Sequence, residues 1–151
     1  AATSIVVISS TSVSGVTPSH AVGSVDVAVT TPGGTDTEPD GYTYIAAPTV
    51  TTGAASDVGL VGATVAGVVN ANFDSSTVSI TYGTDSGLSG ATTVAGSPSP
   101  VTGGSNTNVS AVLSGLSNAT TYYFRVSATN TVSTVNGSID SFTTLANAAT
   151  S

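Results

Sequence analysis

A chain of 151 residues has room for one large domain or two small ones, each able to bury only a modest core. One basic residue stands against eight acids, a formal charge of −7, and phosphate binding needs clustered lysine and arginine, so nucleic acid is excluded as a partner. Cysteine, methionine and tryptophan are absent, which removes disulfides, thiolate metal sites and thiol nucleophiles.

Only 6% of the residues are charged while serine and threonine supply about a third, so solubility rests on hydroxyls and backbone more than on ions. A cysteine-free, lysine-free, threonine-rich composition of this kind is associated with exported surface proteins, and an extracellular, cell-surface or surface-filament location is expected. No apolar run approaches the roughly 20 residues of a spanning helix, so no membrane span is expected. The absence of a basic leader with an apolar core reads as a mature or excised exported segment.

Residues 1–46 read as short strands: SIVVIS around Ile5 and Ile8, SVSGVTP, GSVDVAVTTPGG and GYTYI. In the third, Val25, Val27 and Val29 alternate with Asp26, Ala28 and Thr30, and Pro32-Gly33-Gly34 ends it as a turn. This order of strands resembles the C-terminal half of a TIG (IPT) immunoglobulin-like domain. The resemblance implies that about three strands of the complete domain are missing here. The apolar faces of Val6, Ile8, Val25, Val27 and Val29 are then expected to lack a partner sheet and to invite strand addition.

Ala46-Ala47-Pro48 marks the expected boundary, since a residue before proline is held extended. Beyond it, APTVTT offers a strand, GATVAGVVNAN a second with Ala63, Val65, Gly67 and Val69 on one face, and STVSITYGT a third with Val78, Ile80 and Tyr82 inward. The glycine-, serine- and proline-rich passage from Thr84 to Gly104 is expected to be loop plus a short edge strand near Thr92 to Ala95. NVSAVLSGL then places Val109, Ala111 and Leu113 inward. In TYYFRVSAT, Tyr122, Phe124, Val126 and Ala128 fall on one face of a half-buried strand and Tyr123, Arg125, Ser127 and Thr129 on the other. SFTTL closes the sheet through Phe142, for seven strands.

The spacing of Leu116, Thr120 and Tyr122 resembles the tyrosine corner of fibronectin type III domains, in which a tyrosine hydroxyl bonds to nearby backbone. Residues 48–146 as a whole resemble the fibronectin type III modules of bacterial secreted and surface proteins. The expected organisation is therefore all-β: tandem antiparallel immunoglobulin-like sandwiches, with an incomplete domain over 1–46, a fibronectin type III-like domain over 47–146 and a tail over 147–151. In that family an acidic residue often faces the arginine of the FRV motif. Here the position is Thr81, so Arg125 is expected to be a solvated surface arginine.

No catalytic constellation emerges, and a non-enzyme without cofactor is expected. The single histidine, His20, lies in a TPSH turn, and the acids stand singly rather than as a pair across a cleft. Asp36, Glu38 and Asp40 form the one acidic cluster. Alternate acids in a loop suit calcium, yet the segment lacks the length and terminal glutamate of an EF-hand loop, and a solvated hairpin turn is the preferred reading. Asn108, Asn118 and Asn136 open N-glycosylation sequons, with Asn118 and Asn136 expected in turns and Asn108 opening a strand.

Two functions are compatible with these features. The first is a structural or adhesive module or subunit of a surface fibre, partnered by copies of itself or adjoining modules and assembled by strand complementation. The alternative is a carbohydrate- or receptor-binding accessory module of a secreted enzyme or adhesin, for which Tyr42, Tyr44 and Tyr123 are the available aromatic faces.

Overall fold

The computed structural model describes residues 1–148, so the end of the expected tail, residues 149–151, lies outside the described residues. The described chain is all strand and loop: β1 (Thr3–Ser9), β2 (Ser12–Val16), β3 (Gly23–Thr31), β4 (Gly34–Tyr44), β5 (Thr49–Ser56), β6 (Gly62–Asn70), β7 (Thr77–Gly83), β8 (Thr92–Ala95), β9 (Asn106–Ser114), β10 (Thr121–Thr129), β11 (Thr134–Asn136) and β12 (Asp140–Thr143). It divides into two units, Ala1–Tyr44 and a second beginning at Ile45. The break falls two residues before the expected one. Ala46 and Ala47 belong with the second unit because Asn130 Nδ2 donates to Ala46 O at 2.7 Å and Asn72 Nδ2 donates to Ala47 O at 2.7 Å.

The second unit is a two-layer antiparallel sandwich. One sheet has the order β5-β6-β9; the other runs β11-β10-β7-β8, with β12 also paired to β10. Alternation makes the core: Ala63, Val65 and Val69 of β6 and Val109 and Leu113 of β9 meet Val78 and Ile80 of β7, Tyr122, Phe124, Val126 and Ala128 of β10 and Phe142 of β12. Gly67 lies in the inward row of β6 because the opposing sheet comes too close for a side chain. A Cβ there would stand 2.7 Å from Val126 Cγ2 and 2.6 Å from Thr51 O.

The strand expected at SFTTL is β12, and a short strand that the sequence reading did not place, β11, precedes it on the same edge of β10. β11 pairs Ser127 to Thr129 of β10 and β12 pairs Thr121 to Phe124, which leaves a gap in the ladder between them. The backbone groups at the gap are still satisfied, as buried polar groups must be. Val126 N–H donates to Thr52 Oγ1 at 3.1 Å, and Val126 O accepts from Gly137 N–H at 2.8 Å. β5 thereby stitches the two sheets together at the gap between β11 and β12.

At the other end of β10 the corner is built from three segments. Ser117 N–H donates to Tyr122 Oη at 3.0 Å, and the Tyr122 ring stacks on Phe142 with centroids 5.8 Å apart. Leu116 is buried beside them, while Thr120 turns its hydroxyl to Asn118 O at 2.8 Å. Thr144, which the sequence reading passed over, joins the segments. Its hydroxyl accepts from Thr120 N–H at 3.0 Å and donates to Ser117 O at 2.7 Å, and it is almost fully buried.

The first unit contrasts with this. β1 pairs only with β2, and β3 only with β4, so it consists of two separate two-stranded hairpins in place of one half-sandwich sheet. None of residues 1–44 is buried. An isolated two-stranded hairpin is marginal in water because it buries too little to offset its ordering entropy.

Two measurements test this register. Phe124→Ala removes a fully buried ring and is expected to cost about 3 to 5 kcal/mol, whereas Tyr123→Ala, on the outward row, should cost about 1 kcal/mol or less. Equal losses in chemical denaturation would place the register one residue out. Tyr122→Phe removes only the corner acceptor, leaves the Ser117 N–H of a part-buried bond unpaired, and should cost about 1 to 3 kcal/mol. An unchanged melting temperature would deny the corner its hydrogen bond.

Candidate functional site

The acidic cluster is not in a hairpin turn. Asp36, Glu38 and Asp40 all lie on β4, and the turn is two residues long, at Pro32-Gly33. Glu38 pairs with Val27 and Asp36 with Val29, so these two carboxylates share the face of the β3 valines. The register slips between Val25 and Val27, where Asp26 opposes Pro39, Asp40 and Gly41. Proline has no N–H for the ladder, Asp40 takes a positive φ of 52°, and Asp26 Oδ1 accepts the Asp40 N–H at 3.0 Å. The acids are thus used singly along a strand, and no group of three metal-ligating side chains converges among the described residues.

His20 Nδ1 lies 2.8 Å from Ala21 O, and its ring stacks on Tyr44 at 5.0 Å, with Tyr42 edge-on to Tyr44 at 4.9 Å. Beside this trio is a half-open hollow of about 280 Å³ lined by Thr17, Pro18, Val25, Val27, Tyr42 and Tyr44. Its one charged side chain, Asp26, is occupied by the Asp40 N–H. Tyr42 and Tyr44 therefore act on each other and on His20, and form no flat aromatic face.

The sequons separate on geometry. Asn118 sits in an exposed turn before β10. Asn108 is exposed on the outer face of β9, two residues inside the strand. Asn136 is on β11 rather than in a turn, and its Oδ1 accepts from Ser127 Oγ at 2.7 Å.

Arg125 departs from expectation. It does stand opposite Thr81, but it is half-buried, and its Nε is covered and has no hydrogen-bond partner. A guanidinium whose Nε is covered in this way is not a freely solvated one. Periodicity locates such a residue on the outward row without revealing how far its neighbours cover it.

Sequence reasoning also missed the polar clamps at the N-terminal end of the second unit. Besides the two asparagine bonds to Ala46 and Ala47, Asn130 Oδ1 accepts from Val132 and Ser133 N–H at 3.0 and 3.1 Å. Asp74 accepts from both the hydroxyl and the N–H of Thr131, and these bonds hold its carboxyl below the usual aspartate range. Asn-Thr and Asn-Phe-Asp just after predicted strands are the signals available: short polar side chains that organise local backbone.

No family model matches the chain, and no curated protein matches it. Among solved structures, a shorter form of the sensor domain of the anti-sigma factor RsgI4 in Pseudobacteroides cellulosolvens has a TM-score of 0.49 at 20% identity, covering 68% of this chain and 99% of that one. A longer form of the same sensor domain has a TM-score of 0.48 at 22% identity, covering 69% of this chain and 95% of that one. At these values the likeness carries no inference about function.

Proposed function

We propose that the chain is a non-catalytic structural or adhesive subunit of an extracellular surface assembly. In this reading the second unit is a rigid spacer, and the β1–β2 hairpin is completed by the same hairpin of a neighbouring copy. One observation supports it above the others. Ile5, Val6, Val7 and Ile8 are consecutive, so they present apolar side chains on both faces of β1, and all four are more than half exposed. A strand apolar on both faces is the pattern of a strand covered on both faces.

The partner is assigned on charge. Residues 1–25 contain no aspartate, glutamate, lysine or arginine, and their one histidine, His20, lies outside β1 and β2, so two copies can pair here without like charges meeting despite the net −7 of each. Natural edge strands are often blunted by lysine, proline, inward-pointing charge or bulges; β1 and β2 carry no such residue, and only the register shifts at Thr3/Val6 and Val7/Ser9 interrupt their pairing. β3–β4 is less suited, because Asp36 and Glu38 flank its valines and would meet their own kind in a second copy. The threonine-rich, cysteine-free composition supports an exported setting.

Light scattering over a dilution series tests this. The expected result is a mass that rises with concentration above the 14.5 kDa of one chain, and a monomer at every concentration when charge is placed on the edge by Val6→Lys with Ile8→Lys. The melting transition of the second unit should be the same in both. A wild-type chain monomeric throughout would overturn pairing between copies, as would a charged variant that assembles equally well. A longer polypeptide that covers β1–β2 with its own adjoining strands and stays monomeric would also overturn it.

A further inference from the structure

We propose that the outer face of the β10 sheet binds an anionic polysaccharide, with Arg125 holding a carboxylate or sulfate and Tyr123 contacting the sugar ring. The inference goes beyond assembly and uses a different surface, since every residue in it belongs to the second unit.

The argument begins with charge placement. Arg125 is the only lysine or arginine in the chain. Four of the eight acids, Asp26, Asp36, Glu38 and Asp40, are in the first unit. The other four, Asp57, Asp74, Asp85 and Asp140, stand in loops or at a strand end. The outward row of β10 is Thr121, Tyr123, Arg125, Ser127 and Thr129; its register partners on the neighbouring strands are threonine, serine, glycine and asparagine. Among the described residues, then, the outward row of β10 and its register partners carry one cation and no carboxylate, while Asp140 pairs with the inward Phe124 beside Arg125. Acids lying farther away than about 10 Å are largely screened from a ligand there at physiological salt.

The state of Arg125 is the second observation. Its Nε is buried without an acceptor, and no hydrogen bond from its terminal nitrogens is found among the described residues. Leaving a buried donor unpaired is costly, and nothing in the fold requires an arginine opposite Thr81. Covering the stem restricts the guanidinium, so less side-chain entropy is lost when its open terminal nitrogens take up an oxyanion, and arginine presents them as a planar fork matched to carboxylate or sulfate.

The surroundings select a sugar. Tyr123 is on the same row two residues away, about 7 Å along the strand, and an aromatic ring with a polar tip suits the apolar face of a pyranose. Around the pair the hydroxyls are ordered by cross-strand bonds: Thr121 with Thr143 at 2.9 Å, Thr81 with Thr93 at 3.1 Å and Thr129 with Thr134 at 2.8 Å. Each keeps lone pairs free for ligand hydroxyls. This fixed, uncharged polar field around one cation fits a chain with sparse charge and many hydroxyls better than it fits an acidic peptide strand, whose backbone would need an open edge.

The test measures binding of the full chain to polygalacturonate, dextran sulfate, neutral dextran and polyglutamate, by calorimetry at low and physiological salt. Binding to polygalacturonate or dextran sulfate is expected, and which of the two is tighter distinguishes carboxylate from sulfate as the preferred anion. Arg125→Gln should weaken it about tenfold or more, Tyr123→Ala should weaken it less, and both variants should melt cooperatively like wild type. Neutral dextran bound as tightly would overturn the proposal, and so would polyglutamate bound as tightly or unchanged affinity in a folded Arg125→Gln variant. Repeating the measurement below the concentration at which the wild-type chain assembles should give the same affinities, since the site does not need assembly.

Discussion

Burial of one face of a single strand governs the second unit. β10 lies at the centre of its sheet, bonded to β7 along one edge and to β11 and β12 along the other. Its inward residues are fully or nearly fully buried against β6 and β9. Each of its boundaries then needs a repair. The tyrosine corner and Thr144 close its N-terminal end, and Thr52 with Gly137 closes the gap opposite Val126. With no cysteine, and no metal-binding group among its described residues, the unit relies on backbone pairing and on close approach at glycine, as at Gly67.

The first unit has the same strand chemistry without the closure. Its β-branched residues satisfy the local preference for extended backbone, yet β1–β2 and β3–β4 each end as a pair with two open edges. On β4 the carboxylates of Asp36 and Glu38 share a face with the β3 valines, which sets a charged row beside an apolar one. On β1 no such brake exists. The difference between the hairpins is therefore one of charge, and it is why the uncharged one carries the assembly reading.

Much of the architecture was legible because period-two alternation reports burial directly. The inward rows of β6, β7 and β10, and the short edge strand β8, lie where the pattern puts them. Where legibility failed, the cause was a competing local signal or a long-range contact. Proline and the Asp-Gly pair in TDTEPDGY are strong turn formers and outweighed the alternation of Asp36 and Glu38, which is itself a strand signal; the structure absorbs Pro39 as a bulge capped by Asp26. The break between β11 and β12 depends on Thr52, 74 residues away from the Val126 it serves, and no local pattern reports that. Asn72 read as the end of the strand GATVAGVVNAN and Asn130 as the residue after TYYFRVSAT, though they hold the carbonyls of Ala47 and Ala46. The register of Arg125 was legible; the covering of its Nε depends on side-chain packing that a period cannot encode.

The central claim is that the second unit is self-sufficient and the first is not. Amide hydrogen exchange, followed residue by residue below the concentration at which the chain assembles, tests it most directly, because exchange reads the free energy of local opening. The account predicts that the slowest amides lie in β6, β7 and β10 and exchange only with global unfolding, while amides of β1 to β4 exchange orders of magnitude faster and those of β1 and β2 slow down on assembly. Protection in β1 to β4 equal to that of β10 in a monomer would contradict it.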